Sequence, residues 1–152
     1  MDSPEMPSLN PPVEVVADID RKAARLHAEP QSFAAMDGLW RAVYGLDRWI
    51  FIARGSQDDP KPYAGELSPG PMVFAFTTAE RALEGGRSVG LSDEEASLLL
   101  AVPMPGAIEW VASFAGSGIA GIAFDVPSAG YYAPLTNLLP MRDHMTANPP
   151  VE

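Results

Sequence analysis

Two short stretches, RWIFIAR at 48–54 and PMVFAFT at 71–77, set the terms for any fold of this chain. Each is a run of β-branched, aromatic and aliphatic residues too brief for a packed helix, and Gly55-Ser56 closes the first. Runs of this kind are buried strands. They oblige the rest of the chain to supply helices that cover a sheet.

The helical patterns are present. From Glu14 to Ala28 the apolar positions Val15, Val16, Ile19, Ala23 and Leu26 recur at helical spacing, with Asp18, Asp20, Arg21, Lys22 and Arg25 turned away, and Pro30 closes the segment. A second helix places Phe33, Met36, Trp40, Val43 and Tyr44 on one face. Residues 55–70 read as loop, with a short edge strand near Tyr63–Leu67. Thr77 and Glu80 have capping-box spacing, so a helix is expected to start there and to stop at Gly85-Gly86. Ser92 repeats the spacing with Glu95, and an apolar helix is expected to run from there to Pro103. Pro105 or Gly106 opens another helix, with Ile108, Val111 and Phe114 on a shared face.

The composition, 47% hydrophobic and 20% charged, suits one globular domain with a sizeable core. Prolines crowd the two ends, so residues 1–12 and 146–152 are expected to be flexible tails around a single domain at 13–145. The net charge of −10 repels phosphate backbones and anionic lipid, and the only adjacent bases are Arg21-Lys22. Nucleic acid and membrane are therefore not expected partners. There is no cysteine, which removes disulfides, thiolate catalysis and sulfur-ligated zinc and fits a cytoplasmic location. The N-terminus has no basic, then apolar, signal pattern, and the apolar stretch Trp110–Phe124 is too short and glycine-broken to span a bilayer.

Gly116-Ser117-Gly118-Ile119-Ala120-Gly121 matches G-x-G-x-x-G. A dinucleotide site needs a strand before that motif, a helix opening on it and an acid about twenty residues later. Here the preceding segment reads as helix, IAFDV is too short and β-prone to be one, and the next acids, Asp125 and Asp143, fall at the wrong distances. The glycines are expected instead to end a helix at a left-handed Gly116 and lead into a strand at Ile119–Phe124.

PMVFAFTTAERA resembles the strand-to-helix junction of the SseB-like N-terminal domain, named for enhanced serine sensitivity, and GSGIAGIAFDVPSAG resembles a later segment of that family. Asp125-Val126-Pro127-Ser128 stands where such proteins tend to carry Asn-Pro-Gly. The resemblance implies a small α+β fold without established catalysis, loosely linked to secretion or signalling.

No residue pattern argues for chemistry. His27 and His144 are the only imidazoles, with no metal-ligand spacing between them. A triad of Ser117, His144 and Asp143 lacks the nucleophile elbow. Asp93, Glu94 and Glu95 are complements to a helix dipole, and Asp58-Asp59 suits a turn. No catalytic, cofactor-binding or metal-binding residue is assigned.

Between Glu109 and Arg142 the only charged residue is Asp125. YYAPLTNLLPM at 131–141, broken by Pro134 and Pro140, is either a core-covering segment or an interface. The expected architecture is α+β, a single domain in which a small mixed sheet packs against several helices. The function favoured is a non-enzymatic adaptor that binds a protein through Asp125, Ser128, Tyr131, Tyr132 and Leu135. The alternatives are a small acidic chaperone or immunity protein masking a secreted partner, and a hydrolase with an unrecognised site. A homodimer through 131–141 is a further expectation.

Overall fold

A computed structural model describes residues 10–55, 58–66, 70–126 and 130–148. In chain order these form α1 (Val13–Ala28), α2 (Phe33–Tyr44), β1 (Arg48–Gly55), β2 (Pro60–Pro62), β3 (Ala64–Glu66), β4 (Pro71–Phe76), α3 (Ala79–Ser88), α4 (Asp93–Ala96), β5 (Leu99–Pro103), α5 (Gly106–Ala112), β6 (Gly121–Phe124), β7 (Tyr131–Pro134) and α6 (Leu138–Ala147). The class is α+β, a single domain around a seven-stranded mixed sheet.

The two apolar runs lie at the centre of that sheet because both their faces are covered. On one face Trp49, Phe51, Val73, Ala75, Ile122, Phe124 and Tyr131 meet residues of α1, α2, α5 and α6. On the other, Ile50, Ile52, Met72, Phe74, Phe76 and Ala123 gather with Ala82 of α3. Phe124 stacks parallel to Tyr131, and Trp49 meets Phe124 edge-on at 5.0 Å between centroids. Each such side chain contributes roughly 1.5–3 kcal/mol by leaving water.

β1 and β4 pair antiparallel directly only at Ile50↔Phe76 and Phe51↔Ala75. Beyond that they part, and the 60–66 segment fills the gap: β2 pairs with β1, β3 pairs with β4, and Tyr63 bridges them. Tyr63 N–H donates to Ile52 O at 2.8 Å, and Phe74 N–H donates to Tyr63 O at 3.0 Å. β4 and β6 run parallel, β7 returns antiparallel along β6, and β5 lines the other edge of β1.

Several expectations need correction. The segment after Ser92 is a helix only as far as Ala96; the capping box forms, but residues 99–103 are strand β5, because an apolar run with a vacant ladder beside it gains more by pairing with β1. The cap of α3 is Thr78, which accepts from Arg81 N–H, while Thr77 turns inward. α3 continues through Gly85 and Gly86 to Ser88, its glycines allowing close approach to Phe76 and Ala96. The left-handed glycine is Gly118 (φ +87°), not Gly116, and the strand after it begins at Gly121. On α2 the buried stripe is Ala35, Leu39, Trp40 and Val43, leaving Phe33 and Met36 in solvent. The short edge strand expected near Tyr63–Leu67 is β2 and β3; Leu67 is outside the described residues. Helix α6 runs to Ala147, past the expected boundary at 145, and Asn10, within the expected tail, bonds the Ala79 N–H and the Glu80 carboxylate. Residues 1–9 and 149–152 are outside the described residues.

Candidate functional site

The parallel strands β4 and β6 end side by side at Thr77 and Asp125, a position where α/β sheets often bind ligands. Here the position is filled by the protein itself. Asp125 is fully buried and has left-handed backbone (φ +53°), a conformation tolerated by Asp better than by most residues. Its carboxylate accepts from Thr77 N–H and Thr77 Oγ1–H, each at 2.8 Å, and from Arg81 Nη1 at 2.9 Å. Arg81 also makes a two-pronged contact with Asp20 of α1, at 2.8 and 2.7 Å. One guanidinium therefore fastens α1 to α3 and to the end of β6.

Burial raises the Asp125 carboxyl above its ordinary value, against the pull of the Thr77 and Arg81 donors. The hydrogen bonds to Asp20, ahead of those to Asp125, keep Arg81 firmly protonated. Tyr131 is 3% exposed, and its hydroxyl has no hydrogen-bond partner among the described residues. Burial, reinforced by the Asp125 charge, pushes that phenol well above its usual range.

The residues expected to form a binding surface are thus divided. Asp125, Tyr131 and Leu135 lie in the interior: Asp125 is engaged by Arg81, Tyr131 packs between Trp40 and Phe124, and Leu135 belongs to the main core. Side chains so placed have no surface to offer. Tyr132, alternating to the opposite face of β7, is 61% exposed. Ser128 is outside the described residues. In the 131–141 stretch, Ala133 and Leu138 are buried as well, while Tyr132, Pro134, Thr136, Asn137, Leu139 and Pro140 are exposed, so the uncharged stretch is divided between core and surface.

An open apolar site lies elsewhere, between α2 and α6. Phe33, Met36 and Trp40 from α2 face Pro140, Met141 and Met145 from α6 across a cleft of about 180 Å³. Asp37, Asn137 and His144 complete its lining. Within α2, Arg41 Nε donates to Asp37 Oδ2 at 2.7 Å; across to α6, Arg41 Nη2 donates to the Asn148 carbonyl at 2.5 Å and His144 Nε2 stands 3.6 Å from Asp37 Oδ1. Asn148 Nδ2 approaches His144 Nδ1 at 3.3 Å, and the Phe33 ring meets the imidazole edge-on. Tyr44 O–H donates to Leu138 O at 2.8 Å and fixes the near end of α6.

Protein-family models, curated proteins and solved structures give no match to this chain.

His144 therefore pairs with Asp37 of another helix, while its neighbour Asp143 contacts Arg142, and the Ser117–His144–Asp143 grouping does not assemble. His27 donates from Nε2 to the Gly130 carbonyl at 2.9 Å, anchoring the C-terminal end of α1 beside β7. Among the described residues, no three His, Cys, Asp or Glu side chains converge as a metal site would require, and no helix is long and apolar enough to cross a membrane. The cleft was hidden in the sequence because Phe33 and Met36 sit at core-like spacing with Trp40 and Val43. The available signal was an apolar stripe on α2 wider than one helix face can bury.

Proposed function

We propose that this protein is a non-enzymatic binding module, an adaptor that recognises another protein through the cleft between α2 and α6. The observation that carries this reading is the pair Phe33 and Met36, exposed at 60% and 40%, beside two further methionines in an apolar recess. Thioether side chains repack around varied partners, and an aromatic at the rim buries much area with few rotors. Small-molecule sites usually occupy about 300–1,000 Å³, so this smaller cleft suits one anchoring side chain better than a cofactor. The net charge of −10 favours a basic partner. The occupant is therefore an amphipathic helix bearing one large apolar anchor flanked by Lys or Arg.

The resemblance of residues 71–82 and 116–130 to the SseB-like domain supports an adaptor. A small acidic chaperone or immunity protein masking a basic secreted partner would use the same charge and cleft.

The test uses protein labelled at methionine methyls, titrated with an 18-residue Leu/Lys helix-forming peptide carrying one Trp. Methyl signals of Met36, Met141 and Met145 should shift while buried Met72 stays fixed. Phe33→Ser should weaken that binding about tenfold or more, with stability altered by no more than about 0.5 kcal/mol. Unmoved cleft methyls, or equal shifts at Met72, would reject the reading.

A further inference from the structure

The sheet treats its margins unequally. β2 is Pro60-Lys61-Pro62, and prolines with a lysine are the usual means of keeping a strand from recruiting another. β7 is four residues long and ends in Pro134, with His27 on the carbonyl of Gly130 just before it. β5 has no such guard before Pro103: Leu99-Leu100-Ala101-Val102 is uncharged, partly exposed, and preceded by Leu98 at 56% exposure. Among the described residues β5 pairs only with β1.

The ladder fixes which backbone groups face outward. Ala53 N–H donates to Leu98 O, and Met104 N–H donates to Asp47 O. Hydrogen-bonded pairs alternate along an antiparallel ladder, so Leu98, Leu100, Val102 and Met104 turn their N–H and C=O groups toward β1. Leu99, Ala101 and Pro103 turn theirs away. The outer edge thus presents the N–H groups of Leu99 and Ala101 and the carbonyls of Leu99, Ala101 and Pro103, without partners among the described residues.

Both donors of that set can be matched by acceptors of a second copy. We propose that the protein forms a homodimer in which two β5 edges pair antiparallel about a twofold axis at Ala101, joining both sheets into one. With Ala101 opposite its own copy, each Ala101 N–H meets the other's carbonyl. Leu99 then faces Pro103 of the second copy, and its N–H meets the Pro103 carbonyl. All four outward N–H groups gain acceptors; the Leu99 carbonyl of each copy, opposite the N–H that Pro103 lacks, is left for water at the end of the seam. Side-chain pairs across the seam are Ala101 with Ala101, Leu99 with Pro103, Leu100 with Val102 and Leu98 with Met104. Every pair is apolar, and no like charges are opposed. A small residue sits on the axis. An extended peptide from another protein would satisfy the same edge, but the register match within this one segment favours a second copy.

Two copies of net charge −10 repel, and the seam is shorter than a standard interface, so association should strengthen with salt and with concentration. Sedimentation velocity of the full chain from about 5 to about 500 μM, in low and high NaCl, should show a monomer–dimer equilibrium moving toward dimer with both variables. Ala101→Pro removes an outward N–H without touching the β1 ladder. It should weaken dimerisation about tenfold or more with the melting temperature of the monomer retained. Amide exchange at Leu99 and Ala101 in the parent should slow as concentration rises, a readout independent of whether the proline variant folds. A parent monomeric at every concentration, whether or not an added extended peptide protects those amides, would overturn the proposal. So would a dimer indifferent to Ala101→Pro, or exchange at Leu99 and Ala101 independent of concentration.

Discussion

Replacing Arg81 by Met keeps an unbranched apolar stem in place but removes the one cation that, among the described residues, faces the buried Asp125. Breaking a buried pair from one side costs about 3–5 kcal/mol, because the remaining charge is stranded. Asp125 would keep both Thr77 donors, which places its share near the lower figure. The Asp20 contact is partly exposed and adds at most about 1 kcal/mol. The expected loss at neutral pH is therefore about 3 kcal/mol, a fall in melting temperature of roughly 6–12 °C for a chain of this size. The pH dependence has a definite sign. The folded Asp125 carboxyl already titrates above its unfolded value, so its protonated form favours the fold, and that advantage is lost as pH rises through the folded pKa. Removing Arg81 raises that folded pKa further. The gap between variant and parent should consequently be widest near neutral pH and narrow as pH falls through the variant's folded pKa. Urea unfolding at several pH values, with Asp125→Asn and the double variant completing a cycle, measures the coupling directly. A loss under about 1 kcal/mol at pH 7, or a gap that does not shrink in acid, would refute the buried-charge argument.

Tyr131→Phe removes a buried hydroxyl that has no partner among the described residues, so stability should be unchanged or raised by up to about 1 kcal/mol in thermal unfolding, whereas a surface role for that hydroxyl would leave stability alone and weaken binding. Gly85→Ala would bring a methyl against the Phe76 ring and within 2.6 Å of the Val126 carbonyl; a cost of about 1–3 kcal/mol in urea unfolding is expected.

How much of this could be read from the sequence follows from the range of each interaction. The buried runs at 48–54 and 71–77, the helix from residue 13 and the Ser92–Glu95 box are decided by neighbours within a few residues, and each is present. Residues 99–103 looked helical because an apolar run looks the same in either state; their partner β1 begins 51 residues earlier at Arg48, beyond any local pattern. Asp125 looked available because Arg81 is 44 residues away in the chain. Charge depletion at 131–141 was genuine, but it is the signature of core as much as of interface, and alternation along β7 separates Tyr131 from Tyr132 in a way composition cannot. The cleft escaped because whether an apolar stripe is covered depends on where α6 lies against α2.

The gap between β1 and β4 has a further consequence. Since only two residue pairs join these strands directly, the two halves of the sheet are held together largely through a three-stranded junction in which Tyr63 serves both sides. Continuity of the sheet is therefore a property of the segment from Pro60 to Glu66, although that segment looks like a surface excursion in the sequence. Shortening the chain there would remove more than a loop: Ile52 would lose a donor and Phe74 an acceptor, each fully buried, in the middle of the molecule. Insertions between Gly55 and Pro60 should be tolerated far better than deletions across Pro62–Ala64.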